Sequence, residues 1–150
     1  DEPPRAKDEP ILKRSHWIAI IGYGALIAAT VLMAFALALL WLDLDASQAV
    51  TISFLTFGLG QLLHVLNMRS SGSPIFLNEI TRNPMVWVSI AFGVVLLALA
   101  VWVPVAAEVL SIQLLPLAGW GLVVAFSVLP LLVVQVTKML LALRRRMAER

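Results

Sequence analysis

Five residues in one apolar stretch are the first candidates for chemistry. Ser53, Thr56, Gly60, His64 and Asn67 advance by three or four positions, so on a helix they line one face, with Gln61 on its flank. Side-chain carbonyl oxygens on such a face are hard ligands and could line a cation pathway. The same groups could instead hydrogen-bond between helices, at about 0.6 kcal/mol per contact in a membrane; this is the favoured reading. Acid–base work by His64 is disfavoured, because no carboxylate or nucleophile accompanies it in that stretch. The chain has no cysteine, which excludes disulfides, thiolate metal sites and cysteine nucleophiles. It also has no glycine-rich phosphate loop, so it is not expected to hydrolyse ATP by itself.

The elements that must hold these residues follow from composition. Of 150 residues, 61% are apolar and 13% charged, with a mean hydropathy of +0.94. Soluble domains carry about 25% charge, and disordered chains are polar and charge-rich. The composition therefore points to an integral membrane protein. Four charge-free stretches run Ser15–Leu42, Ala46–Met68, Asn83–Ala107 and Val109–Thr137. Each exceeds the roughly 20 residues that a helix needs to cross a bilayer. The expectation is an all-α bundle of four transmembrane helices, spanning about 17–41, 50–68, 85–103 and 117–141. A proline-rich arm (1–16) precedes this 17–143 domain and a basic tail (144–150) follows it. Runs such as Val94–Ala100 do not alternate in polarity, which argues against a β-barrel. The proline-rich, acidic start and the lack of an initiator Met suggest a piece of a longer protein.

Charge placement gives an orientation. All 11 basic residues precede the first span, lie between the second and third, or close the chain; the other two loops carry Asp43, Asp45 and Glu108. The positive-inside rule then puts both termini in the cytoplasm. Within the first span, Gly24 and Ala28 share a face and could form a close helix–helix seam. Pro130 falls inside the fourth span, where a kink is expected. Trp17, Trp41, Trp87, Trp102 and Trp120 flank spans and read as interfacial anchors. Lys138 can snorkel at the cytoplasmic end. Arg144, Arg145 and Arg146 mark topology and could also meet anionic headgroups.

Several short motifs, taken in order, carry a resemblance. Pro3-Pro4-Arg5 and Glu9-Pro10-Ile11-Leu12 are followed by Gly22-Tyr23-Gly24. Then come Gln61-Leu62-Leu63-His64-Val65-Leu66-Asn67 with Arg69-Ser70, and Asn83-Pro84. Trp102-Val103-Pro104, Trp120, Pro130 and Lys138 complete the series. Along nearly its whole length the chain resembles the seventh to tenth helices of P-type cation-transporting ATPases, in the calcium-pump branch. The resemblance implies a C-terminal support domain that braces the ion-binding helices of an ATP-driven pump. The family's phosphorylated aspartate, in its DKTGT motif, and its main ion-binding helices lie outside these residues. The parent is then expected to use Mg-ATP and a transported cation, and this chain to bind no cofactor.

The same resemblance aligns Gln61 with a glutamate that ligates an ion in two-calcium pumps. A neutral amide compensates calcium's dehydration less well than a carboxylate. Gln61 is therefore the one candidate metal contact, at the periphery of a cation site, and a one-ion pump or another cation fits better. Gln135 and Glu2 also depart from the family pattern. The implied partners are the remaining domains of the parent ATPase and the bilayer, with no nucleic acid. The implied location is a multi-pass membrane protein, in the plasma membrane if bacterial. Two alternatives stay open: a self-contained four-helix accessory or regulatory subunit, and a small oligomeric transporter.

Overall fold

In hydrocarbon every backbone donor needs an internal partner, so a long apolar segment has little choice but helix. The computed structural model describes residues 14–68, 78 and 80–148, with backbone alone at 15, 16, 142, 145, 146 and 148. Helix α1 runs Arg14–Leu40, α2 Ala46–His64, α3 Pro84–Trp102, α4 Pro104–Val109 and α5 Leu117–Ala148. A 3₁₀ turn, Val65–Asn67, extends α2. The described residues hold four helices long and apolar enough to cross a membrane, and no strand.

The ends of these helices have local causes. After α1 the amides of Trp41 and Leu42 both donate to the Leu37 carbonyl, and Asp43 turns the chain with φ 51°. Asp45 then caps α2, its carboxylate accepting from the Gln48 amide at 2.9 Å. Asn83 caps α3 by accepting from the Met85 amide at 3.0 Å, and Pro84 occupies the first turn, where a missing N–H costs little. Pro104 forces Val103 into extended backbone (φ −86°, ψ 114°), which separates α3 from α4. Helix α4 ends where Ser111 adopts φ 54° and the Ile112 amide donates to the Ala107 carbonyl at 2.8 Å.

Three of the long helices make the core. Helices α1 and α2 form an antiparallel hairpin, closed at its far end by the Tyr23 ring against His64. Helix α5 runs parallel to α2: Gly119 lies beside Ile52, Gly60 beside Ser127, and Asn67 beside Gln135. Buried Ala34, Ala38, Ala49, Ile52, Leu55, Leu122 and Val123 fill the centre. Lipid tails are as apolar as these side chains, so close packing of small residues takes over the role that the hydrophobic effect has in water. Helix α3 touches α2 through two reciprocal notches: Leu97 sits on Gly58, and Leu62 sits on Gly93. Most of its other residues are exposed, and Ala100 is the one it buries.

Three features differ from the sequence reading. Helix α5 continues through most of the expected 144–150 tail, because Leu, Ala, Arg and Met are strong helix formers and no Gly or Pro interrupts them. Arg14–His16, expected in the extended arm, are already helical. The connection after α3 contains the short helix α4, which six residues could not announce by periodicity. Residues 1–13, most of the 69–79 connection and residues 149–150 lie outside the described residues.

Candidate functional site: the polar face of the second helix

The predicted stripe on α2 divides into a packed part and a bonded end. Ser53 is half-buried, and its hydroxyl donates back to the Ala49 carbonyl at 3.0 Å. Thr56 is 1% exposed, and its hydroxyl has no partner among the described residues. Gly60 lies flat against the backbone of Ser127, where an added Cβ would stand 3.8 Å away. Ser127 is itself satisfied within α5, donating to the Val123 carbonyl at 2.6 Å.

The bonded end is where α2 meets α5. Asn67 is 3% exposed. Its Oδ1 accepts from Gln135 Nε2 at 3.1 Å, and its backbone carbonyl accepts from Lys138 Nζ at 2.7 Å. Its Nδ2 lies 3.4 Å from His64 Nδ1, which accepts when the ring proton is on Nε2. The Tyr23 ring stands edge-on to His64 with centroids 5.1 Å apart. One node thus joins α1, α2 and α5. The ammonium lies at the C-terminal end of α2, where the helix dipole favours a cation.

At the other end of α2, Thr51 accepts from the Gln113 amide and Gln48 Nε2 donates to the Leu114 carbonyl, both at 3.0 Å. These bonds hold the loop between α4 and α5 against the bundle. Sequence reasoning missed them, and missed Gln135 and Lys138 as partners of Asn67. Helical periodicity gives the face a residue occupies, and nothing about which residue nearly seventy positions away will meet it.

The remaining candidates lie elsewhere. Gln61 is exposed, in a stripe with Phe54, Phe57, Val65 and Met68 that no described helix covers. Gly24 and Ala28 are exposed too, and nothing lies within 4 Å of a Cβ built at Gly24. The buried side of α1 is instead Ile27, Thr30, Ala34 and Ala38. The Gly24–Ala28 seam is therefore not used among the described residues. Pro130 is buried inside α5, where it withholds a backbone donor from the Phe126 carbonyl. Arg144 is exposed, while the side chains of Arg145 and Arg146 lie outside the described residues. Among the described residues no group of three or more His, Cys, Asp or Glu could hold a metal ion.

Comparison with known proteins adds identity to this geometry. The family described as "Cation transporting ATPase, C-terminus" matches residues 1–140. "Calcium-transporting ATPase 1" of Bacillus cereus (strain ATCC 10987 / NRS 248) is 31% identical over 99 residues, covering 65% of this chain. Those residues span 11% of that relative's length. With four apolar helices of crossing length, the match describes an integral, multi-pass membrane protein. The chain belongs to the C-terminal family of cation-transporting ATPases.

Proposed function

We propose that this chain is the membrane support domain of a P-type ATPase that moves calcium or a related cation at the expense of Mg-ATP. The observation that carries the reading is the family match over residues 1–140. In this reading α1, α2 and α5 form a rigid block, and the uncovered stripes around Gln61 and around Gly24–Ala28 pack against the ion-binding helices of the same protein. Both stripes favour a protein neighbour over lipid. An amide facing hydrocarbon is costly, and a small-residue surface is one on which a second helix packs closely. Both termini are cytoplasmic, the basic end of α5 meets anionic headgroups, and a bacterial parent would sit in the plasma membrane.

Gln61 then touches the edge of the ion site or packs beside it, and the packing role is the one proposed. The test is transport by the full-length protein in sealed vesicles. Gln61→Ala should change apparent cation affinity by less than about tenfold, roughly 1.4 kcal/mol. A much larger loss at normal expression makes Gln61 a ligand. Absence of ATP-driven uptake of any cation by the intact protein would remove the pump reading itself.

A further inference from the structure

The wedge between α2, α3 and α5 is apolar and open on one side. Leu55 and Leu59 of α2, Ala98 of α3 and Val123 of α5 line it, together with Trp102 and Trp120. The cavity measures about 170 Å³. An apolar cavity of about 150 Å³ stays dry and takes up benzene, so this one is of a size for a hydrocarbon segment and offers water nothing to bond. Among the long helices, the main contact of α3 is with α2. The Gly58–Leu97 and Gly93–Leu62 notches fix α3 against α2 along part of its length.

We propose that this wedge is a binding site for a phospholipid acyl chain, in the leaflet nearest the loops that carry Asp43 and Glu108. The argument for lipid is continuity. Two of its lining residues, Val94 and Trp102, are themselves exposed on a membrane-spanning helix, beside exposed Val95 and Leu99. In this proposal that apolar surface is a contact with the bilayer, and the wedge continues it inward. The lining runs from Val94 to Trp102 along α3, about 12 Å at 1.5 Å per residue. One leaflet contributes about 15 Å of a hydrocarbon core of about 30 Å. The wedge thus matches a single leaflet in depth. Trp102 closes its span and Trp120 lies near the start of its own, the positions at which tryptophan sits at headgroup level. A chain held there would fill the gap between α3 and α5 and tie the loosest helix to the core.

The experiment is photolabelling of the intact protein in phosphatidylcholine vesicles, using a phospholipid with a diazirine on its acyl chain. Adducts are mapped by mass spectrometry. The expected result is labelling of the inner wall, at Leu59 and Ala98, as well as of outward-facing Val95 and Leu96. Ala98→Phe should fill the wedge and cut labelling of Leu59 by about fivefold while leaving Val95 unchanged. Should circular dichroism show that variant misfolded, Leu59→Phe blocks the site from the opposite wall and is read at Val123. Adducts confined to the outward face of wild type would overturn the proposal, since another part of the protein would then cover the wedge. Inner-wall labelling that persists in a folded, filled variant would overturn it too.

Discussion

Asn67 is the residue on which the packing of α2 against α5 turns. Its side chain reaches Gln135 and its carbonyl receives Lys138 across the helix boundary. Hydrogen bonds between membrane helices average about 0.6 kcal/mol and reach about 1.7. Asn67→Ala should therefore destabilise the bundle by about 1 kcal/mol in a denaturant titration in micelles. A double-mutant cycle with Gln135→Ala should return a coupling of about 0.6 kcal/mol; additive losses would show that the bond contributes nothing. Thr56 predicts the opposite behaviour. Its buried hydroxyl has no partner among the described residues, so Thr56→Val should be neutral or slightly stabilising, within about 0.5 kcal/mol. At this scale the sequence was half legible. The polar face of α2 could be read from spacing, because its residues recur with the helical period. Which of them bond and to what could not, since Asn67 and Lys138 meet only through the register of two helices.

At the scale of the element, two glycines on the α2–α3 contact differ from Gly60 on the α2–α5 contact. A Cβ at Gly58 would stand 2.9 Å from Leu97, and one at Gly93 would collide with Leu62. At Gly60 the added Cβ meets only ordinary van der Waals contact at 3.8 Å. Gly93→Val should cost about 1–3 kcal/mol by overpacking and loosen α3, read as faster proteolysis of the segment joining α2 and α3. Gly60→Ala should be close to neutral, because the contact is open enough and alanine is the better helix former by about 1 kcal/mol. Equal effects at both positions would mean that the two interfaces are equally tight. The four long helices were readable because charge is absent over each span and returns at its ends. Helix α4 was not, because its six residues depend on Pro104 resetting the backbone after Val103. The continuation of α5 past Leu143 was missed because a basic cluster marks a membrane boundary and says nothing of where a helix stops.

For the whole molecule, the topology is the property with the most direct test. Epitope tags at the two ends should be digested from the same side of sealed vesicles, and protection of one alone would refute an even number of crossings. The order of assembly carries a further consequence. Helix α5 runs parallel to α2 and packs between it and α1, whereas α3, made earlier, stays at the margin. During synthesis the hairpin of α1 and α2 must wait, its amide-bearing groove not yet closed by α5, while α3 emerges and is passed over. Only α5, made after all three, closes that groove. A nascent chain truncated before Leu117 would thus leave Asn67 without Gln135 and Lys138, and should be degraded faster than one that extends through α5.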